Sequence, residues 1–404
     1  MPSFRNSNSH TLTVFVDGLK PSSLEYMPFL SSLHSERMRT ELGYSPTCDG
    51  SMYTGVYPNK HHCWFIWQRT PGDSPFGYID RFNLDHLPHN VYSKYAMYKT
   101  GLSINQNNSQ VPGFTIFFDT PVEHWGQFRP CVDGKWTDDD LLPYPTVFEI
   151  LRERGIPFRT IGDDAPDLAK SSIAVEAAGF DPGTDWTYYY IADIDPLSHK
   201  YGQESKETVE KMREIDELIR VKYQEFERQY GDEFDFLLFS DHGHAVVEEH
   251  ISLPDTFVRG GYALDDYIHF VDSNFARFWP RTAEEREEIR NALAPLEEHG
   301  MYLTKERQRA YNVEMPDNRY GELIYYLDLP RTFEMPSFSV FGREMSYTPV
   351  SMHGYLPDHD SMDGVLVSNR PIQSSVPELV DVPPTVLSSL GEPVPEYMDG
   401  TSVV

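Results

Sequence analysis

The sequence is poor in cysteine and in positive charge. Its 404 residues contain three cysteines, Cys48, Cys63 and Cys131, and 34 lysines and arginines against 63 aspartates and glutamates. Three cysteines without a C-x-x-C pair exclude a disulfide-rich framework and a zinc knuckle. The formal net charge of -29 repels nucleic acid and anionic membranes, so we expect neither as a partner. The simpler alternative is that this negative charge only keeps the protein soluble.

The chain also lacks a long apolar run. No stretch of about 18 apolar residues occurs, which predicts no membrane-spanning helix. The N-terminal MPSFRNSNSHTLTVFVDG has no apolar signal core and leads directly into a strand-like segment. We therefore expect a soluble, cytoplasmic protein. With 39% hydrophobic and 14% aromatic residues, the chain can bury a sizeable core.

Strand-like and helix-like segments alternate along the chain. Apolar, β-branched and aromatic runs predict strands in TLTVFVD (11–17), DWTYYYIADID (185–195) and FDFLLFSDHGH (234–244). Helical spacing predicts helices in 23–38 and 205–231, and 143–162 is typical of a helix, a glycine break and a strand. This alternation predicts an α/β fold with a mostly parallel central sheet and helices on both faces.

Two stretches interrupt the alternation. Residues 63–140 are rich in aromatic residues, proline and asparagine, and they include four of the six tryptophans: Trp64, Trp67, Trp125 and Trp136. Residues 245–345 mix a charged helix-like segment with strand-like pieces such as GELIYYLDL. Since no Gly/Ser linker or repeat separates them from the rest, we interpret residues 1–404 as a single domain with two insertions. We expect most of the aromatics to be core residues, with a lid as the alternative role for 63–140.

Aspartates and histidines follow several predicted strands. They are Asp17, then Asp193, Asp195 and His199, then Asp241 and His242, and finally His353. Taken singly, each is typical of a helix cap, a turn or a hydrogen-bonded structural residue. Because the carboxyl ends of parallel strands meet at one edge of a sheet, we expect the set to converge. Aspartate and histidine without paired cysteines suit Zn²⁺, Mn²⁺ or Mg²⁺.

Five motifs occur in the order seen in the alkaline phosphatase superfamily: FVDGL, Ser45…Thr54-Gly55 with YPNKHH, DPLSHKYG, FSDHGH and MHGYLPDHDSMDGVLVS. The sequence most resembles the type I phosphodiesterase/nucleotide pyrophosphatase branch, from about residue 11 to the C-terminus. The resemblance implies an alkaline-phosphatase-like catalytic domain with two divalent metal ions, zinc being favoured and manganese the alternative. It implies that one ion is held by Asp17, Asp241, His242 and the nucleophile oxygen, and the other by Asp195, His199 and His353.

The same resemblance points to a nucleophile in GYSPTCDGSMYTGVYP (43–58). In this superfamily the nucleophile lies ten residues before the glycine of a Thr-Gly pair, and counting back from Gly55 leads to Ser45. Thr47 is the alternative, since the phosphodiesterase branch usually has threonine. We interpret the other polar side chains that follow as a packing residue (Cys48) and as caps and core residues of a helix (Asp49, Ser51 and Thr54).

Two absences narrow the predicted reaction. The Cys-x-Pro-x-Arg motif of sulfatases does not occur. Alkaline phosphatases resemble one another in an arginine shortly after the nucleophile that binds a phosphate monoester, and no arginine lies between residues 40 and 68 of this sequence. We therefore predict hydrolysis of phosphodiester or pyrophosphate bonds in a small, nucleotide-like substrate through a covalent phospho-Ser45 intermediate. The departure of Ser-Pro-Thr-Cys-Asp from the Thr-Phe-Pro-Asn common in the phosphodiesterases leaves the donor to the non-bridging oxygen unassigned.

Other functions fit the same residues. Within the superfamily they are those of a phosphomonoesterase, a phosphonate hydrolase or a phosphotransferase. From a different class, the chain could be a non-catalytic, metal-stabilised binding module whose aromatic insertion recognises a ligand. A nucleophile in register argues against that module, because a structural metal site needs neither an open coordination position nor a reactive serine.

Overall fold

A computed structural model describes residues 10–87, 90–104, 120–163, 170–335 and 338–404. Its strands are β1 (His10–Val16), β2 (His34–Met38), β3 (Trp67–Arg69), β4 (Phe128–Pro130), β5 (Phe158–Ile161), β6 (Trp186–Ile191), β7 (Phe234–Phe239), β8 (Ala245–Val246), β9 (Glu249–Ile251), β10 (His269–Asp272), β11 (Phe275–Phe278), β12 (Gly300–Tyr302), β13 (Leu323–Leu327), β14 (Arg331–Phe333), β15 (Phe338–Val340), β16 (Arg343–Ser346), β17 (Ser351–Met352) and β18 (Gly364–Ser368). Its α-helices are α1 (Ser45–Thr54), α2 (Pro58–His61), α3 (Gly77–Arg81), α4 (Val91–Ile104), α5 (Val147–Glu153), α6 (Ser171–Ala177), α7 (Ile194–Tyr201), α8 (Lys206–Tyr230), α9 (Leu253–Arg259), α10 (Ala283–Leu293), α11 (Lys305–Ala310) and α12 (Val382–Ser389).

Six strands form the central sheet in the order β2–β18–β7–β1–β6–β5. β1 pairs in parallel with both β6 and β7, and β5 pairs in parallel with β6. β18 runs antiparallel to its neighbours β7 and β2. The predicted mostly parallel central sheet is therefore confirmed.

Helices cover both faces of this sheet. The period of two along β1 turns Leu12 and Val14 towards one face and Phe15 towards the other. α8 packs on the first face through Ile215 and Ile219. α1, α5 and α12 contribute buried side chains to the second face. The burial of both faces explains why these strands read as nearly continuous apolar runs.

α8 shows how the sequence specifies one of these helices. The Ser205 side chain accepts a hydrogen bond from the backbone N–H of Thr208, which satisfies a donor of the first turn. Gly231, at a φ of 60°, ends the helix in a conformation that favours glycine. The helix predicted at 205–231 is confirmed. Within the described ranges, no helix is both long and apolar enough to cross a membrane.

One local prediction is wrong. Residues 23–38, predicted as a helix, form two short 3₁₀ helices, Pro21–Tyr26 and Leu30–Ser32, followed by strand β2. Pro28 has no backbone N–H and cannot continue a helix through this segment. The backbone of β2 instead pairs with β18, more than 300 residues away in the sequence.

The described parts of the two stretches interpreted as insertions, 63–140 and 245–345, pack against each other. β10, β11, β13 and β12 form a second, antiparallel sheet within residues 245–345. Trp67, Trp125 and Phe128 of the first stretch pack with Phe270 and Trp279 of the second. These tryptophans are fully buried, as expected of core residues. The interpretation of 1–404 as one domain with insertions at about 63–140 and 245–345 stays a prediction.

Candidate active site

The carboxyl ends of three central strands bring five of the predicted ligands to one edge of the sheet. Asp17 directly follows β1, and Asp241 and His242 follow β7. Asp195 and His199 lie in α7, which begins just after β6. Their spacing of four residues places both side chains on one face of that helix. The convergence expected from the strand pattern is therefore present.

The first group consists of Asp17, Asp241 and His242, whose ligand atoms lie within 4.8 Å of one another. His242 Nε2 is 3.1 Å from Asp241 Oδ2 and 3.6 Å from Asp17 Oδ1. His242 Nδ1 lies 3.1 Å from the carbonyl oxygen of Gly243. Because a carbonyl only accepts, Nδ1 carries the proton and Nε2 presents its lone pair to the carboxylates.

These three ligand atoms, Asp17 Oδ1, Asp241 Oδ2 and His242 Nε2, are buried and have no hydrogen-bond partner within the described residues. Buried acceptors without a donor are costly, and a cation relieves the cost. Burial raises the pKa of Asp17, with a further contribution from Asp241, and burial raises the pKa of Asp241 to about 8. Burial lowers the pKa of His242 to about 4, which keeps the imidazole neutral. The group therefore fits a divalent metal ion.

The second group consists of Asp195, His199 and His353. Asp195 Oδ1 lies 3.2 Å from His199 Nε2 and 3.8 Å from His353 Nε2. His199 Nδ1 donates to the carbonyl oxygen of Ser351 at 2.9 Å, which leaves Nε2 free to bind a metal ion. Burial alone would raise the pKa of Asp195. The imidazoles of His199 and the neighbouring His244 outweigh burial and hold this pKa well below its ordinary value.

The two groups are neighbours. The imidazole rings of His242 and His353 stack with their centroids 3.6 Å apart and an interplanar angle of 8°. His353 is the one predicted ligand that does not follow a strand of the central sheet. It follows β17, which pairs with β8 directly after the FSDHGH segment. The pairing of these two short strands, which lie far apart in the sequence, brings His353 to the edge where the parallel strands end.

Ser45 is the first residue of α1 and is half-buried. The ring of Tyr44, the residue before it, packs edge-on against His353 with centroids 5.6 Å apart. Asp49, one turn further along α1, interacts electrostatically with Asp241. The residue before α1 therefore contacts His353 of the second group, and the first turns of α1 carry Asp49, which interacts with Asp241 of the first group.

Thr47, the alternative nucleophile, is fully buried. Its hydroxyl donates to the carbonyl oxygen of Trp64 and accepts from the backbone N–H of Tyr44 at 3.4 Å. These bonds give Thr47 a structural role at the start of α1. Cys48 is buried in the core cluster, as predicted for a packing residue.

The profile of the family described as type I phosphodiesterase / nucleotide pyrophosphatase matches residues 11–355. The chain belongs to this family. It is a phosphoric ester hydrolase of the nucleotide pyrophosphatase/phosphodiesterase type, and the family is metal-dependent. A comparison of the sequence with curated proteins finds no match.

Solved structures share the fold of this phosphodiesterase. Human ectonucleotide pyrophosphatase/phosphodiesterase 5 is similar with a TM-score of 0.64, at 13% identity over 97% of each chain. The murine protein of the same name, in an inactive form in complex with AMP, is similar with a TM-score of 0.61, at 12% identity over 97% of this chain and 98% of that chain. The predicted alkaline-phosphatase-like fold is confirmed.

Two residues absent from the predicted site of the phosphodiesterase contact its ligands. His244 Nε2 lies 2.9 Å from Asp195 Oδ1, and the hydroxyl of Tyr190 donates to Asp17 Oδ2 at 3.2 Å. Gly18, at a φ of 75°, allows the close approach, because a Cβ there would lie 3.2 Å from His244 Nε2. The second histidine of FSDHGH is a sequence signal for His244. Nothing in the sequence distinguishes Tyr190 from the other tyrosines of β6.

Two further acids near these segments have defined hydrogen-bond partners. Asp193, which shares a strand end with Asp195, does not face the ligand groups. Its carboxylate accepts hydrogen bonds from the side chains of Ser171 and Ser172 and from the Ser172 backbone, and so holds the start of α6. Asp49, interpreted as a cap or core residue, accepts a hydrogen bond from the Trp136 side chain, and burial together with the charge of Asp241 raises its pKa well above the ordinary value.

A separate cavity of about 570 Å³ lies where the two inserted stretches meet. Its lining includes four arginines, Arg69, Arg129, Arg281 and Arg319, and none of the predicted metal ligands. Three of these arginines pair with acids: Arg129 with Asp73 and Asp133, Arg281 with Glu285, and Arg319 with Asp317. This cavity is therefore separate from the two ligand groups at the sheet edge.

Proposed function

We propose that this enzyme hydrolyses phosphodiester or pyrophosphate bonds of a small, nucleotide-like substrate through a covalent phospho-Ser45 intermediate. The observation that carries the proposal is the set of three buried ligand atoms without partners among the described residues, Asp17 Oδ1, Asp241 Oδ2 and His242 Nε2. A nucleotide substrate is supported by the murine relative, whose inactive form is in complex with AMP.

The ligand groups would divide two divalent ions between them. Asp17, Asp241, His242 and the Ser45 hydroxyl would hold one ion, and Asp195, His199 and His353 the other. The mixed carboxylate and imidazole donors favour zinc, with manganese as the alternative. Such ions supply Lewis-acid stabilisation of the charge on the attacking and departing oxygens.

The Ser45 side chain would act as the nucleophile. Its oxygen loses a proton and forms a bond to phosphorus while the bond to the leaving oxygen breaks, and the leaving group takes up a proton. Water then cleaves the phospho-Ser45 ester, which restores the hydroxyl and releases the second product. Because Ser45 opens a ten-residue helix, the negative phosphoryl group lies at the positive end of the helix dipole.

The surroundings of the site favour a diester over a monoester. Across the described ranges, no lysine or arginine forms an ion pair with Asp17, Asp195 or Asp241. Bound metal ions would thus be the main positive charges at the site. A diester or pyrophosphate linkage puts less charge on the reacting phosphoryl group than a monoester dianion does, so it needs no additional cationic side chain.

The Ser45→Ala variant tests the nucleophile. We expect its turnover of a chromogenic aryl phosphodiester to fall by at least about 10³-fold while elemental analysis finds an unchanged metal content. Ser31→Ala, at an exposed serine, is the matched control and should retain full turnover. Full activity of Ser45→Ala would show that the phospho-Ser45 mechanism is wrong.

A substrate comparison tests the reaction type. We expect faster hydrolysis of an aryl phosphodiester than of the matching aryl phosphomonoester at equal concentration. The opposite order would identify the enzyme as a phosphomonoesterase instead. Hydrolysis of neither ester by metal-loaded protein would contradict both assignments.

A further inference from the structure

Two of the three cysteines lie in direct contact. Cys63 Sγ and Cys131 Sγ are 2.8 Å apart, closer than a non-bonded contact between two sulfur atoms. A disulfide bond brings the two sulfurs to about 2.05 Å. The third cysteine, Cys48, lies elsewhere in the core, where its sulfur contacts the Thr40 hydroxyl at 3.6 Å. The contact is therefore specific to one pair.

The backbone holds this pair together without help from the sulfurs. β3 and β4 pair antiparallel, with Trp67 opposite Pro130. Immediately beyond this pairing, the backbone N–H of Cys131 donates to the carbonyl oxygen of Ile66 at 2.9 Å. The base of the first inserted stretch thus closes as a ribbon, and the two cysteines lie across that base.

We propose that Cys63 and Cys131 form an intramolecular disulfide bond that closes the loop 64–130. Cys63 is fully buried, whereas Cys131 is partly exposed, so Cys131 is the sulfur that meets an oxidant first. With oxidised glutathione as the oxidant, the Cys131 thiolate attacks one sulfur and releases one glutathione. The Cys63 thiolate then attacks the Cys131 sulfur of the mixed disulfide and releases the second glutathione, so two protein thiols are oxidised and one glutathione disulfide is reduced.

The bond would join the insertion to the segment that supports α1. Trp64, next to Cys63, accepts the hydrogen bond of the Thr47 hydroxyl, and its indole N–H donates to the carbonyl oxygen of Leu42 at 2.8 Å. A covalent link at Cys63 therefore restrains the neighbours of the helix that carries Ser45. The cytoplasmic location expected from the sequence stays a prediction. A reducing cytoplasm would keep the two thiols free, whereas an oxidising compartment would keep the bond closed.

A thiol count on the full-length protein tests the bond directly. The folded protein is incubated with oxidised glutathione, then denatured and alkylated without reductant, and its intact mass is measured. We expect one alkylated cysteine, Cys48, and three after prior reduction, with a linked Cys63–Cys131 peptide pair in the digest. Three alkylated cysteines without reduction, a persistent glutathione adduct, or a link to Cys48 would each overturn the proposal.

Thermal unfolding provides a second measurement. Closing a loop of 67 residues restricts the unfolded chain, and we expect the oxidised protein to melt on the order of 5 °C above the reduced protein. Cys63→Ser and Cys131→Ser should each abolish this difference, while the control Cys48→Ser should retain it. If oxidation raises the melting temperature of Cys63→Ser as much as that of the wild type, a Cys63–Cys131 bond is not the cause of the stabilisation.

Discussion

The imidazole of His244 and the carboxylate of Asp195 form a direct contact, with 2.9 Å between His244 Nε2 and Asp195 Oδ1. The same oxygen faces His199 Nε2 at 3.2 Å. On its other side, His244 Nδ1 lies 3.0 Å from the Ser351 hydroxyl, and the Ser351 carbonyl oxygen accepts from His199 Nδ1. Ser351 thus aligns two imidazoles on one carboxylate.

His244→Ala is expected to weaken metal binding at the Asp195 group by about 10–100-fold, because a hydrogen-bonded neighbour orients a ligating carboxylate. The measurement is the metal-to-protein ratio during titration with a competing chelator, which does not depend on turnover. His86→Ala, at a histidine whose side chain is 83% exposed, is the control and should bind metal normally. If His244→Ala binds metal with the same affinity as the wild type, His244 does not orient Asp195 for metal binding.

Thr47→Val is expected to lower the free energy of unfolding by about 1–3 kcal/mol, because it leaves the buried carbonyl of Trp64 without its donor. Urea denaturation measures the loss. Thr47→Ser keeps the hydroxyl and should recover most of the stability. The folded Thr47→Val enzyme should still turn over substrate, since we assign the nucleophile to Ser45. An inactive but fully folded Thr47→Val would contradict that assignment.

Glu41 is expected to make stability fall as the pH rises. Burial, with a smaller contribution from Glu378, raises the pKa of Glu41 from 4.5 to about 8, and the Ser51 hydroxyl donates to its carboxyl group at 3.3 Å. Between these two pH values the native state holds a proton that the unfolded state has lost. The contribution is therefore fully present below pH 4.5 and lost as the pH rises towards 8.

Glu41→Gln removes this titration while keeping the size of the side chain. The pH dependence of its unfolding free energy should be weaker than that of the wild type by on the order of 1 kcal/mol per pH unit between pH 5.5 and 7.5. Denaturant unfolding at several pH values measures both slopes. Identical slopes would mean that Glu41 is ionised in the folded protein.

Removal of the metal ions is expected to destabilise the enzyme more at pH 9 than at pH 6. Without a cation, the raised pKa values of Asp17 and Asp241, the latter about 8, favour protonated carboxyls in the native state. The contribution of Asp241 is present at low pH and is lost as the pH rises through about 8, when its buried carboxylate becomes charged beside Asp17.

The check compares melting temperatures with and without a chelator at the two pH values. The chelator saturated with zinc beforehand is the control and should have no effect. The gap in melting temperature should widen by several degrees from pH 6 to pH 9. A gap that narrows as the pH rises would argue against an ion between Asp17 and Asp241.

Long apolar periodicities predicted the fold well. β1, β6, β7 and α8 were all predictable because two buried sheet faces and one buried helix face impose clear patterns on the residues. Residues 23–38 were not, since their apolar spacing also suits short 3₁₀ helices and an edge strand. Whether residues 34–38 form a helix or a strand depended on β18, whose backbone hydrogen-bonds to β2.

Most of the candidate site residues were predictable from the sequence motifs. The strand pattern predicted that aspartates and histidines at successive strand ends would meet at one edge of a parallel sheet, and the family resemblance implied which of them hold each ion. The tertiary structure distinguishes neighbours of similar chemistry by their contacts. The Thr47 hydroxyl donates to the carbonyl oxygen of Trp64, whereas Ser45 is the first residue of α1. The choice of Ser45 as the nucleophile stays a prediction.

The remaining contacts join residues far apart in the chain. His244 reaches Asp195 across 49 residues, and Cys63 reaches Cys131 across 68. The sequence by itself determined which chemical groups are present and which secondary structures carry them. The pairing of strands and the packing of distant segments decided which of those groups touch. Local residue patterns do not encode these distances, because they depend on residues far apart in the chain.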